Sequence, residues 1–296
     1  MDYPIKGFLE TSFSDWPGKI SSVLFLPSCN FRCRYCHNHD LVLRPEKYSN
    51  FPWEVILAGL QKRKGWIDGV CLTGGEPSLH SSLPPLIREL KSAKDFTLSG
   101  EPLPIKLDTN GTHPEVLEKL IEEGLIDYVA MDLKGPLRAD RYAAITGVPI
   151  GEEQMEKIQA SIEILLPGKV GYEFRTTFVP TLLEEEEVYA LARRVRGTPR
   201  FSLQNFNPRE TLDGSLGKIA PADPDFLRRM QKRVDEIIHP GTTSNALDVA
   251  GAKRSIPNAV GAGLPRPYII VIISPSTPRG RRPGWCPCPC GRPRGS

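Results

Sequence analysis

The run Ser22-Val23-Leu24-Phe25-Leu26-Pro27-Ser28-Cys29-Asn30-Phe31-Arg32-Cys33-Arg34-Tyr35-Cys36 decides how the chain is read. Its first part is an apolar, strand-like stretch, and its second sets Cys29, Cys33 and Cys36 in a C-x3-C-x2-C spacing just beyond it. Three thiolates at a strand end can hold three irons of a four-iron cluster and leave the fourth iron without a protein ligand, whereas four thiolates close a cluster to substrate. The same cysteines can serve a structural zinc, with His37 or His39 as fourth ligand. Zinc sites usually join two ligand couples well separated along the chain, and no second couple occurs before the C-terminal segment. An iron–sulfur cluster is therefore the expectation.

Outward from this run, strand-like and helix-like stretches alternate. Strands are expected over 21–26, 69–72, 105–107, 127–131, 172–179 and 201–206, and helices over 52–64, 83–92, 114–123, 152–166, 184–196 and 223–238. Repeated β-α units argue for an α/β fold with a parallel sheet and helices outside it. Six units suit an open, partial (β/α)6 barrel; a closed eightfold barrel has no room before residue 240. In barrel-like α/β folds the working residues follow the C-terminal ends of the strands. There stand the three cysteines, then Gly74-Gly75-Glu76-Pro77, then Asp108-Thr109-Asn110-Gly111, then Asp132-Leu133-Lys134.

Taken singly, these clusters have ordinary readings: a tight turn, a capped turn, a solvated lysine beside its aspartate. Their common face makes a ligand site the better reading. Glycines let backbone carbonyls approach a small ligand, Glu76 can accept from an ammonium group, and Lys134 is a compact charge suited to a carboxylate. Cys71 lies in a buried strand pattern and reads as a small core hydrophobe. His113 reads as a loop residue at a helix start, and the acidic run 184–187 as a solvated helix N-terminus that the macrodipole favours.

Composition narrows the function. The chain is 40% apolar and 25% charged, as expected of a soluble globular protein. It has no run of about 20 apolar residues that a membrane span needs, and residues 1–6 do not read as a secretory signal, so no membrane partner and a cytoplasmic location are expected. The net charge of +3 hides an asymmetry: all 35 acidic residues lie at or before Asp248, against 30 of the 38 basic ones. A mildly acidic main domain gives no reason to expect nucleic-acid binding. The expected division is a catalytic domain over 1–240 and a largely disordered, Pro/Gly/Arg-rich tail over 241–296. That tail holds one apolar run, 268–273, and the alternating Cys286, Cys288 and Cys290, which invite an auxiliary-cluster reading but sit in low-complexity sequence.

The cysteine run, with its aromatic residue before the last cysteine, resembles the signature of radical S-adenosylmethionine enzymes. From Lys6 to about Ile238 the chain resembles, more narrowly, the activating enzymes of glycyl radical enzymes, in particular those of anaerobic ribonucleoside-triphosphate reductase. The likeness rests on Gly7-Phe8-Leu9-Glu10-Thr11-Ser12, Asp15-Trp16-Pro17-Gly18-Lys19, residues 29–38, Leu72-Thr73-Gly74-Gly75-Glu76-Pro77 and Lys106-Leu107-Asp108-Thr109-Asn110-Gly111. Residues 127–134, Phe174-Arg175-Thr176-Thr177 and Leu203-Gln204-Asn205-Phe206-Asn207-Pro208 complete it.

The resemblance implies that Cys29, Cys33 and Cys36 ligate one [4Fe–4S] cluster whose open iron chelates S-adenosylmethionine. It implies reductive cleavage to a 5′-deoxyadenosyl radical that takes hydrogen from a glycine of a partner reductase, with electrons from a flavodoxin- or ferredoxin-type donor. It implies that Gly74, Gly75 and Glu76 hold the methionine amino group, that Tyr35 helps form the adenine pocket, and that Asp108, Asp132 and Lys134 contact the methionine end or an associated cation. No second cysteine-rich insert follows Cys36, unlike in activases with extra clusters. Two other readings stay open: a radical enzyme acting on a small molecule, such as a deazaguanine-forming enzyme, and a non-catalytic iron–sulfur or zinc module.

Overall fold

The computed structural model describes residues 2–93 and 96–241. Strand β1 (Gly7–Trp16) folds back on β2 (Lys19–Leu26) as an antiparallel hairpin, turning at Pro17 and Gly18. Strands β3 (Gly69–Gly74), β4 (Ile105–Thr109), β5 (Tyr128–Asp132), β6 (Gly171–Phe178) and β7 (Phe201–Asn205) then add in parallel, one after another. The order is β1-β2-β3-β4-β5-β6-β7, with β1 and β7 at opposite edges. The sheet curls into a half-barrel that stays open between those edges.

The helices are α1 (His39–Leu43), α2 (Trp53–Lys62), α3 (Leu83–Ser92), α4 (Pro114–Glu122), α5 (Ala139–Thr146), α6 (Glu152–Leu165), α7 (Glu185–Arg194) and α8 (Pro224–Ile238). Their apolar stripes recur at helical spacing, as in Leu83, Leu86, Ile87 and Leu90 of α3 or Met155, Ile158, Ile162 and Leu165 of α6. These pack in one continuous core with Val70, Leu72, Ile105, Leu107, Val129 and Phe174 of the strands. Side chains alternate across a strand, so the intervening positions turn into the barrel. On β2 and β3 they are apolar: Val23, Phe25 and Cys71 form a small separate cluster with Leu41. On β4 and β6 they are charged and buried: Lys106, Asp108, Glu173 and Arg175. An interior lined with charge is built to hold something.

The expected six-unit partial barrel is the fold found, enlarged by β1. That strand carries Glu10, Thr11, Ser12, Ser14 and Asp15 and is kinked by two register shifts against β2, so its sequence lacks a clean alternation. Trp16, at the end of β1, stacks at 5.8 Å on Tyr128 at the start of β5 and so helps close the barrel floor. Helix α5, also unexpected, is a single short amphipathic stretch. At the other edge, the Gln231 side chain of α8 donates to Phe201 O and accepts from Leu203 N–H, each at 2.8 Å. The outer backbone groups of β7 are satisfied there by an amide that mimics a neighbouring strand. The expected disordered tail, with its apolar run and Cys286, Cys288 and Cys290, lies outside the described residues.

Candidate functional site

Cys29, Cys33, Tyr35, Cys36, Gly74, Gly75, Glu76, Asp108, Asp132 and Lys134 line a single cleft of 410 Å³ that runs into the barrel interior. The cysteine loop is held from below by α5: Arg32 N–H donates to Thr146 O at 2.8 Å, and Phe31 packs edge-on against Tyr142 at 6.1 Å. Arg34 anchors its outer side on Asp213, with Nε–Oδ2 at 2.8 Å. Phe31 N–H donates to Cys29 Sγ at 3.3 Å. All three thiols are free. Burial pushes them up, to about 12 for Cys29 and Cys33 and about 11 for Cys36. They are thus neutral thiols without a metal, and a bound metal must displace their protons.

The Gly-Gly-Glu loop is clamped to the end of β2. Gly75 N–H donates to Leu26 O and Glu76 N–H to Ser28 O, both at 2.8 Å. Gly74 sits at φ 117°, and a Cβ on Gly75 would come within 1.7 Å of Ser28 O. The two glycines are needed first for this close backbone contact. Gly74 O already accepts from Asn38 Nδ2 at 2.8 Å.

Glu76, 1% exposed, is the hub of the loops. Its Oε1 accepts from Ser78 N–H (3.1 Å), Ser78 Oγ (2.5 Å) and Thr109 Oγ1 (2.8 Å), and its Oε2 from Asn110 N–H (2.6 Å). Burial raises its pKa, while the donors of Ser78, Asn110 and Thr109 pull it back. Asn110 continues the chain of bonds through Asn30 Oδ1 (2.8 Å), and Asn30 on to Thr112 Oγ1 (2.8 Å). Two of the strand-end loops and the cysteine loop thus form one hydrogen-bonded unit. His113, at the start of α4, joins it through Ser78 Oγ at 3.0 Å.

Across the cleft lies a chain of five charges. Lys106, fully buried, pairs with Asp108 Oδ1. Asp108 Oδ2 accepts from Thr73 Oγ1 (3.1 Å) and Arg175 Nη1 (3.2 Å); Arg175 Nε donates to Asp132 Oδ1 (2.7 Å), and Lys134 Nζ to Asp132 Oδ2 (3.0 Å). Burial alone would raise both carboxyls, but Arg175 with Lys106 holds Asp108 below the usual range, and Arg175 with Lys134 does so for Asp132. Burial works against the Lys134 charge, yet Asp132 keeps its pKa well above the ordinary value. The chain thus alternates cations and carboxylates, and Lys134 and Arg175 line the cleft together with the Glu76 loop.

Lys106, Thr109, Asn110 and Arg175 stand in the quoted runs without a role of their own, and Glu173 is not singled out. The available signal is the period-two placement of charge in strands that are otherwise buried: Lys106 with Asp108, and Glu173 with Arg175.

Three free thiols on one cleft are the donor type an iron–sulfur cluster takes, one thiolate to each of three irons; among the described residues no group of three His, Cys, Asp or Glu side chains that could hold a single metal ion occurs. The Tyr35 hydroxyl is buried and without a partner at the same cleft, as a side chain awaiting a ligand would be.

A sheet of this kind, with free thiols, a clamped Gly-Gly-Glu loop and a charge-lined interior, defines a class. The chain belongs to the radical SAM superfamily, whose sequence pattern its residues 23–192 match; membership implies a [4Fe–4S] cluster and S-adenosylmethionine. It is 34% identical over 239 residues to a putative glycyl-radical enzyme activating enzyme of Methanocaldococcus jannaschii, covering 79% of this chain and 94% of that one. It is 27% identical over 214 residues to a probable GTP 3′,8-cyclase of Saccharolobus solfataricus, covering 71% of this chain and 62% of that one. Among solved structures, the FeFe-hydrogenase maturase of Carboxydothermus hydrogenoformans aligns at 15% identity and a TM-score of 0.46, over 73% of this chain and 51% of that one. No helix among the described residues is long and apolar enough to cross a membrane.

Proposed function

We propose that this radical SAM protein is the activating enzyme of a glycyl radical enzyme, with anaerobic ribonucleoside-triphosphate reductase as its protein substrate. The observation that carries this reading is its likeness, over 94% of that protein's length, to the Methanocaldococcus jannaschii relative. Cys29, Cys33 and Cys36 would hold the cluster. The cluster and S-adenosylmethionine together supply a 5′-deoxyadenosyl radical, fed with electrons by a flavodoxin or ferredoxin. Lys134 would bind the methionine carboxylate through an ammonium N–H that Asp132 does not use, with Arg175 behind it. The loop shaped by Gly74, Gly75 and Glu76 would receive the amino group, and Tyr35 would wall the adenine. A cytoplasmic location belongs to the same proposal.

The small-molecule reading, suggested by the cyclases, fits less well. The cationic side chains lining the cleft, Lys134, Arg175 and Arg200, are each bonded to a carboxylate, of Asp132, of Asp108 and Asp132, and of Glu173 respectively. The several negative charges of a triphosphate would go largely unmatched there, whereas a single carboxylate needs only a spare ammonium donor of Lys134. Anaerobic reconstitution, reduction with dithionite and addition of the reductase test the proposal. The expected outcome is 5′-deoxyadenosine together with a glycyl radical signal that depends on the reductase. No 5′-deoxyadenosine would end the radical mechanism for this chain; 5′-deoxyadenosine without a glycyl radical would end the activase assignment.

A further inference from the structure

Glu173 lies two residues before Arg175 on β6, about 7 Å deeper along the strand at roughly 3.3 Å per residue. It lines the same cleft and is only 1% exposed. One carboxylate oxygen is held: Oε2 accepts from Ser202 Oγ at 3.2 Å and pairs with Arg200 Nε at 3.1 Å. Oε1 has no partner. A buried carboxylate oxygen without a donor is costly, and one that persists beside a cleft marks a contact left for a ligand. Arg200 pairs with Oε2 alone, its Nε being shared with Ser202 Oγ at 2.7 Å, and Oε1 stays open. Its side chain is 57% exposed, so it can swing aside without losing a buried position.

The surroundings say what kind of ligand belongs there. Trp16 and Phe13 of β1 line the same cleft, Phe13 being 78% exposed. Aromatic faces beside a carboxylate suit a cationic or N–H-bearing group. The S-adenosylmethionine groups assigned above are met by Lys134 and the Glu76 loop at the strand ends, with Arg175 behind them within β6. Glu173 is left for the second substrate.

We propose that Glu173 is a specificity-determining anchor that accepts a hydrogen bond from an N–H donor of the substrate, foremost a cationic side chain next to the target glycine. This rests on the activase reading. It goes beyond that reading in naming which chemistry beside the glycine the cleft selects.

The test uses the reconstituted protein, loaded with S-adenosylmethionine and kept oxidised so that no turnover occurs. Calorimetry would follow binding of glycine-centred nonapeptides of alanine and serine that carry arginine, norleucine or glutamate beside the glycine. On the wild type, arginine peptides are expected to bind about 10- to 100-fold tighter than norleucine ones, the range of a hydrogen bond to a charged group. Glutamate peptides are expected to bind weakest. Glu173→Gln should erase the preference and Glu173→Asp restore part of it, with urea unfolding of both variants checking that they fold. If arginine and norleucine peptides bind the wild type alike, Glu173 does not set specificity and the proposal is overturned, even where both weaken in Glu173→Gln. If Glu173→Gln and Glu173→Asp leave every affinity as in the wild type, or no peptide binds the wild type, the anchor is wrong. Separate measurement of 5′-deoxyadenosine and of the glycyl radical on the reductase tells that failure from failure of the activase reading.

Discussion

Lys106 is the residue whose environment departs furthest from its type. An ammonium with no exposed surface is tolerable only because Asp108 Oδ1 meets it, and the Sγ of Cys71 lies at 3.8 Å on its other side. Asp108 keeps Arg175 and Thr73 when Lys106 is removed, so the loss is that of a hydrogen bond to a charged group, about 1.5–3 kcal/mol. Lys106→Met is therefore expected to lower unfolding free energy by about that much in urea titrations, and adding Asp108→Asn should recover part of it. Equal losses in the single and double variants would show that the pair is not coupled. The sequence marks Cys29, Cys33, Cys36, Glu76, Asp108 and Lys134 because each stands in a short run at a strand end. Lys106 and Glu173 stand alone inside strands, where a charge ordinarily points to solvent. Only knowledge that both faces of the sheet are covered turns that reading round.

Among the elements, the β3 strand and its loop show how local chemistry becomes site geometry. The strand ends where β2 ends, and the loop turns tightly enough to bond both Leu26 O and Ser28 O. Gly75→Ala forces a methyl group against the Ser28 carbonyl, and backbone cannot yield as a long side chain can. The expected result is about 1–3 kcal/mol of destabilisation and a loop displaced together with Glu76, read as weaker S-adenosylmethionine binding in calorimetry. Unchanged affinity would mean that the clamp does not set the site. Helix α5 makes the complementary point. Its eight residues carry no strong periodic signal, yet its C-terminal carbonyls hold the cysteine loop. Parallel strands and long amphipathic helices were legible in the sequence because period and length reinforce each other. The kinked β1 and the short α5 are shaped by the partners they pack on.

At the scale of the whole molecule, the candidate-site loops issue from the C-terminal ends of neighbouring strands; three are tied together through Glu76, Asn110 and Asn30, and the end of β5 joins through Arg175. The cluster proposal assigns iron to this unit alone. Serine at Cys286, Cys288 and Cys290 together is thus expected to leave the reconstituted protein at about four irons per chain, the content of one cubane. Serine at Cys29, Cys33 or Cys36 should lower it. Iron analysis beside the electronic absorption spectrum decides; a loss of iron in the tail variant would put a second cluster there.

The Gln231 amide at the edge of β7 has a consequence for whatever enters the barrel. An open sheet usually invites a guest strand to zip onto its rim through main-chain bonds. Here the rungs at Phe201 and Leu203 are already taken by an amide of the protein's own helix. A visiting segment gains little by lying flat along that edge. On the activase proposal, the gap between β1 and β7 would be a doorway for the tip of a bent loop gripped by side chains, and the glycine such a loop carries would arrive without first becoming a strand.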